Sequence, residues 1–254
     1  MATASSRYRA RRMSAAVMKL RRSGVVTPTS IAGLKFWLDA SRLTVADGSL
    51  LSTWSDSSGN GRDATAAGTA RPTFRTNGTS NGHAAVEFDG VANVLVTAAP
   101  VSTAVDNFSL FAVASLTSGT TQSPFLSNGD LGSSGYGPAF SAYSDGSIGF
   151  LFGSVVWGDT GTAATAGRAY VMELTRASGT AAFALDGVAP SITYPFGGAT
   201  SAPVTPATAT YLGRGGSAQP FIACRIAEVL VYESLTSANR AAITGYLKTK
   251  YGVA

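Results

Sequence analysis

The chain of 254 residues contains one cysteine, Cys224, and one histidine, His83. A lone cysteine excludes a disulfide framework, and one cysteine with one histidine cannot assemble a structural zinc site. Cys224 sits in an apolar run and reads as a small buried side chain rather than a nucleophile. A Ser-His-Asp centre would have to use His83. That residue ends the polar turn Asn77-Gly78-Thr79-Ser80-Asn81-Gly82-His83, far from any Gly-x-Ser-x-Gly elbow. Glutamate is scarce as well, with only Glu87, Glu173, Glu228 and Glu233. Charged residues make up 13% of the chain, against about 25% in ordinary soluble domains. No apolar run reaches the roughly 18 residues of a transmembrane helix. The N-terminus has no uninterrupted apolar stretch, so neither a membrane span nor a secretory leader is expected.

What the chain has instead is small residues and turn formers. Apolar, β-rich segments at 34–39, 50–54, 85–90, 94–97, 108–116, 139–143, 147–152, 168–175, 181–185 and 208–212 are separated by breaks such as Asp47-Gly48, Asp145-Gly146 and Asp186-Gly187. Residues 226–232 are apolar on both alternating faces apart from Glu228, as expected of a central strand covered on both sides. If it is buried, Glu228 needs partners, an arginine or backbone amides. The period then changes. Ile243, Leu247 and Tyr251 fall on one helical face, with Thr236 or Ser237 to cap the start and Gly252 to stop the end. About twelve strands and one late helix predict an all-β, two-sheet jelly-roll sandwich. The segment 190–206 is expected to be the long surface loop.

Charge is unevenly placed. Arg7, Arg9, Arg11, Arg12, Lys19, Arg21 and Arg22 all lie in the first 34 residues, which hold no acid. That leaves 12 of the 19 basic residues to the remainder, against all 14 acidic ones. The chain therefore divides into a basic N-terminal arm, 1–32, and one folded domain, 33–254. The arm could bind phosphates, lie on an anionic surface or dock on a larger assembly.

The strings GLKFWLDASRL, TWSDSSGNGRDAT, AAVEFDG, FSLFAVASL and IAEVLVYESLTSANRAAITGYLKTKYG, in that order, resemble the laminin-G-like, concanavalin A-like jelly rolls, especially those of bacteriophage virion structural proteins. The resemblance spans about residues 33–252. It implies a non-enzymatic virion protein, foremost a capsid decoration (cement) protein. The seven cations of the arm would anchor it to other virion subunits such as the major capsid protein, as a homo-oligomer with no membrane partner. The alternative is a carbohydrate-binding adhesin or a tail or fibre component that contacts host surface glycan. A glycan hydrolase ranks third, because Glu87 and Asp89 share a strand face with no third acid after them. No cofactor is called for. Calcium is the one candidate ion, with Asp56, Asn60 and Asp63 as hard oxygen ligands in one loop, although such residues equally bond their own backbone in Asx-turns. Tyr136, Tyr143, Trp157 and Tyr194 are the candidate glycan contacts, while Trp37 and Trp54 are assigned to the core.

Overall fold

The computed structural model describes residues 26–104, 106–116, 123–130, 137–152, 156–201 and 208–254. Among them, two antiparallel sheets lie face to face. One contains β1 (Leu34–Asp39), β4 (Thr73–Arg75), β5 (Ala85–Asp89), β7 (Phe108–Leu116), β12 (Tyr170–Ala177), β13 (Thr180–Leu185) and β16 (Ala223–Glu233). Its order is β13-β12-β7-β16-β5-β4, with β1 on the second half of β16. The other contains β2 (Thr53–Trp54), β3 (Ala64–Thr65), β6 (Leu95–Thr97), β8 (Ser123–Asn128), β9 (Pro138–Ala142), β10 (Ser147–Phe152), β11 (Val156–Ala163), β14 (Thr193–Phe196) and β15 (Thr210–Leu212). Its order is β14-β11-β10-β9-β8-β15-β6-β3-β2. The two-sheet sandwich expected from the sequence is thus the observed fold. The segment 190–206 is not simply a loop, because Thr193–Phe196 pairs with β11 as an edge strand.

The space between the sheets is filled by aromatic and aliphatic side chains, among them Trp54, Phe88, Phe140, Phe150 and Phe152, all buried. A second, smaller core lies on the outer face of the seven-stranded sheet, under the helix α1 (Ser237–Tyr251). There Ile243, Leu247 and Tyr251 cover Phe111, Val113, Leu230 and Tyr232. The helix starts where the Thr236 hydroxyl accepts the amide of Asn239, and stops at Gly252, whose φ of 61° is the left-handed turn that glycine adopts without a Cβ penalty. Pro28 and Ile31 are buried as well, and the Tyr232 hydroxyl donates to the Pro28 carbonyl at 2.8 Å, so the chain is packed on the sandwich before residue 33. The seven cations of the arm lie outside the described residues.

Strand β16 explains how one strand serves two cores. It pairs with β7 along its length, but Ile226 opposes Ala114 and Glu228 opposes Val113, so Ala227 is an extra residue. A bulge of this kind resets the alternation of side chains. Cys224 and Ile226 point between the sheets before it, Val229 and Val231 after it. Ala227 and Glu228 both turn toward the helix. Were the alternation unbroken through Ala227, the Glu228 carboxylate would point into the apolar space between the sheets.

Candidate functional site

The carboxylates divide by environment. Glu228 is fully buried, and its partners are neither an arginine nor backbone amides, contrary to expectation. Four side chains donate to it: Trp37 Nε1 (2.7 Å) and Tyr246 OH (3.0 Å) to Oε1, Lys250 Nζ (2.7 Å) and Tyr251 OH (2.9 Å) to Oε2. Lys250 also donates to Asp39 at 2.7 Å. Burial pushes the Glu228 carboxyl up, and Lys250 works against that shift. Burial and the Glu228 charge push the Tyr246 and Tyr251 hydroxyls up in turn. This cluster ties the helix to β16 and β1, and its outer members Tyr246 and Lys250 line a shallow cleft of about 470 Å³ with Val26, Ala242, Gly245 and Thr249.

Glu87 and Asp89, the pair on one strand face, are committed elsewhere. Arg75 and Arg225 clamp Glu87, with Arg75 Nη2 at 2.8 Å and Arg225 Nε at 2.6 Å. Burial would raise its carboxyl, but the two guanidiniums outweigh burial and hold it below its usual range. Asp89 closes a turn by accepting the amides of Val91, Ala92 and Asn93. Burial opposes them, yet the net shift is downward. Neither is poised as a proton donor.

The three calcium candidates make hydrogen bonds within their own loop and to β1. Asp56 accepts the amides of Trp37, Ser58 and Arg62 and the Ser58 hydroxyl. Asp63 Oδ1 accepts the Asp56 amide at 2.8 Å, and Asn60 Nδ2 donates to the carbonyls of Leu34 and Lys35. Among the described residues no group of three or more His, Cys, Asp or Glu side chains is placed to hold a metal ion.

The nine-stranded sheet turns one face to the core and the other outward. Register places one outward residue from every strand on a single rung across that face. Thr53 pairs with Thr65, Thr65 with Val96, Val96 with Tyr211 and Tyr211 with Ser127. Ser127 then pairs with Ala139, Ala139 with Leu151, Leu151 with Trp157 and Trp157 with Phe196. Ser127, Ala139 and Leu151, in the middle, are buried. The rung is accessible at its two ends.

At one end Trp157 is half-buried and Phe196 is 55% exposed, and their rings lie 6.3 Å apart between centroids, tilted by 52°. At the other end Thr65 and Val96 border a cleft of about 540 Å³ closed by Gly61–Asp63. Burial raises the hydroxyl of Tyr211, one strand inward; the Asp130 carboxylate adds to that shift and the Arg214 guanidinium works against it. Asp130 is buried and accepts the amide and hydroxyl of Ser217 at 3.1 and 2.6 Å.

The sequence-derived aromatics fall differently on this frame. Trp157 stands on the outward rung. Tyr143 is buried, its hydroxyl reaching the carbonyls of Phe150 and Gly158 at 3.4 and 3.3 Å. Tyr194 is half-buried against the inner core, edge-on to Phe150 at 6.4 Å. Tyr136 lies outside the described residues. Phe196 and Tyr211 were not singled out from sequence. Their places follow only from pairing register, although the alternation in Thr210-Tyr211-Leu212 already sets Tyr211 opposite to its neighbours.

No family model matches the chain, and no curated protein matches it. Solved structures do. Trypanosoma rangeli sialidase is similar at a TM-score of 0.62 and 21% identity, over 87% of this chain and 34% of that one. The chain thus spans about a third of the sialidase it matches. Domain 4 of AbnA, a GH43 extracellular arabinanase from Geobacillus stearothermophilus, in complex with arabinotriose, is similar at a TM-score of 0.52 and 17% identity. That match covers 84% of this chain and 98% of that domain. The binding domain of Paraclostridial Mosquitocidal Protein 1 is similar at a TM-score of 0.58 and 10% identity, over 83% and 51%. At these identities the likeness shows the fold alone, a two-sheet β-sandwich.

One expectation is overturned by these matches. The virion-protein resemblance implies a non-enzyme, and the missing third acid beside Glu87 and Asp89 speaks against a glycan hydrolase. The fold is shared with sialidase structures that include a covalent intermediate and an inhibitor complex. Counting acids on one strand tests for one class of glycosidase only, whereas sialidases use a tyrosine nucleophile.

Proposed function

We propose that this chain is a carbohydrate-binding β-sandwich that holds glycan against the Trp157–Phe196 end of the outward rung. The observation that carries the reading is the aromatic pair itself. Two rings from neighbouring strands stand on the outward face, one half-buried and the other more than half exposed. A flat aromatic face packs against the C–H side of a sugar ring and leaves the hydroxyls free to bond polar neighbours. The next pair along the same strands, Asp159 and Thr193, supplies such groups. The sialidase and arabinanase likenesses support glycan as the ligand class. They favour this reading over a virion decoration role, which rests on the sequence resemblance and the basic arm.

The test is a glycan array with the full chain, followed by tryptophan emission. Trp37 and Trp54 are buried, so a ligand at this face moves the Trp157 signal. Trp157→Ala and Phe196→Ala should each weaken binding about tenfold, equivalent to about 1.4 kcal/mol. Binding unchanged in both would overturn the site, and an empty array would overturn the function.

For the arm we propose attachment to a larger assembly through Arg7, Arg9, Arg11, Arg12, Lys19, Arg21 and Arg22, with a virion surface as the assembly that the sequence resemblance implies. Cosedimentation with capsid shells should fall when residues 1–25 are deleted, and equal sedimentation would overturn this attachment.

A further inference from the structure

We infer that the chain carries a second ligand site, for a neutral polyhydroxyl group such as one sugar residue, in the cleft between the Gly61–Asp63 loop and the end of β6. The inference stands on this cleft's own geometry and does not need the Trp157–Phe196 platform. The cleft holds about 540 Å³, within the 300–1,000 Å³ range typical of small-molecule sites. Val96 and Ala99 give it an apolar wall, and Thr65 adds a hydroxyl. Tyr211 stands beside Val96 on the same face, one strand inward.

The polar lining selects the ligand. Arg62 and Asp63 lie side by side at the rim. One guanidinium nitrogen of Arg62 reaches the Pro100 carbonyl at 3.4 Å, which leaves most of its donors unspent. Asp63 uses Oδ1 for the Asp56 amide, while Oδ2 has no partner among the described residues. An anion entering the cleft would meet the Asp63 charge, and a cation would meet Arg62. A vicinal diol meets neither penalty, because each hydroxyl can accept from Arg62 and donate to Asp63. The rim is preorganised as well. Asp63 is fixed through the Asp56 amide, and Asp56 is fixed by the amides of Trp37, Ser58 and Arg62, so little loop entropy is lost on binding.

The two ends of the rung are six strand spacings apart from β6 to β14, roughly 29 Å at about 4.8 Å each. Buried Ser127 and Ala139 lie between them. Two separate contacts on one rigid face would let a single module engage two glycan chains, and linked contacts raise avidity without any new interaction.

The test is amide chemical-shift mapping on the full chain with cellotriose and maltotriose as neutral probes, and galacturonic acid and glucosamine as charged ones. Millimolar neutral probes should shift Asp63, Thr65, Val96 and Tyr211, in the wild type and in Trp157→Ala alike. Asp63→Asn keeps the Oδ1 acceptor for the loop and replaces Oδ2 with a donor. It should weaken the cleft response about tenfold with no change in melting temperature. Equal binding by Asp63→Asn, an equal response to the charged probes, or no cleft shifts would each overturn the inference. Shifts confined to Trp157 and Phe196 would overturn it while sustaining the proposed function, and shifts confined to the cleft would do the reverse.

Discussion

Lys250→Met separates a buried ion cluster from ordinary surface pairing. Lys250 bridges Glu228, which is fully buried, and Asp39, which is 4% exposed, at 2.7 Å to each. Methionine keeps the length of the stem but removes the charge, and with it the ammonium contacts over the Tyr246 and Tyr251 rings. Breaking a buried pair by deleting one partner costs about 3–5 kcal/mol. Glu228 retains three neutral donors and Asp39 retains Arg42 at 3.4 Å, so the lower end applies, about 3 kcal/mol. For a chain of this size that is a drop of roughly 6–12 °C in melting temperature.

The pH dependence has a definite sign. Burial raises the folded-state carboxyl of Glu228 above its unfolded value of about 4.3, so the folded state holds the proton more tightly. Stability from this group is greatest below the unfolded value and is lost as pH rises through the folded one. Without Lys250 the shift grows, so the penalty should be smaller near pH 4 than at pH 7. Thermal unfolding followed by circular dichroism at both pH values measures it. The double variant Glu228→Gln/Lys250→Met should lose less than the two single losses added. A loss below about 1 kcal/mol that did not change with pH would place Lys250 among exposed ion pairs and refute the reasoning.

Other outcomes follow from particular contacts. Gly158→Ala sets a methyl group into the Phe150 ring inside the sandwich, and should cost about 1–3 kcal/mol by denaturant titration. Asp56→Ala strips acceptors from three amides and a hydroxyl. It should cost about 1–3 kcal/mol and loosen the Gly61–Asp63 rim, read as faster amide exchange in that loop. Burial raises the Cys224 thiol far above its ordinary value, so a thiol reagent should label the chain only on unfolding, and labelling at native rates would refute that burial.

The seven-stranded sheet was largely legible in the sequence, because its strands are apolar on both faces or alternate strongly. Only Thr73–Arg75 of its strands escaped notice, being three residues long with two polar ones. The helix was equally legible from its period and its Thr236 and Gly252 ends. The nine-stranded sheet was harder. Ala64–Thr65, Ser123–Asn128, Val156–Ala163 and Thr193–Phe196 are short, polar, or interrupted by proline or glycine, and become strands because neighbours pair with them. The outward rung belongs to this second sheet, so the candidate site was the least readable part of the chain. Trp157 could be named from composition, but not which aromatics would share its face.

By itself the sequence determined an all-β sandwich with a late helix, a basic N-terminal stretch and a chain poor in acids, because periodicity, turn residues and charge are local properties. Only the tertiary structure decided where Glu228 points, since one extra residue at Ala227 reverses the face of everything after it. Only pairing across nine strands decided that Trp157 and Phe196 stand at one end of a face whose other end is the Arg62–Asp63 cleft. Register is set by contacts between residues far apart in the chain, and no local pattern contains it.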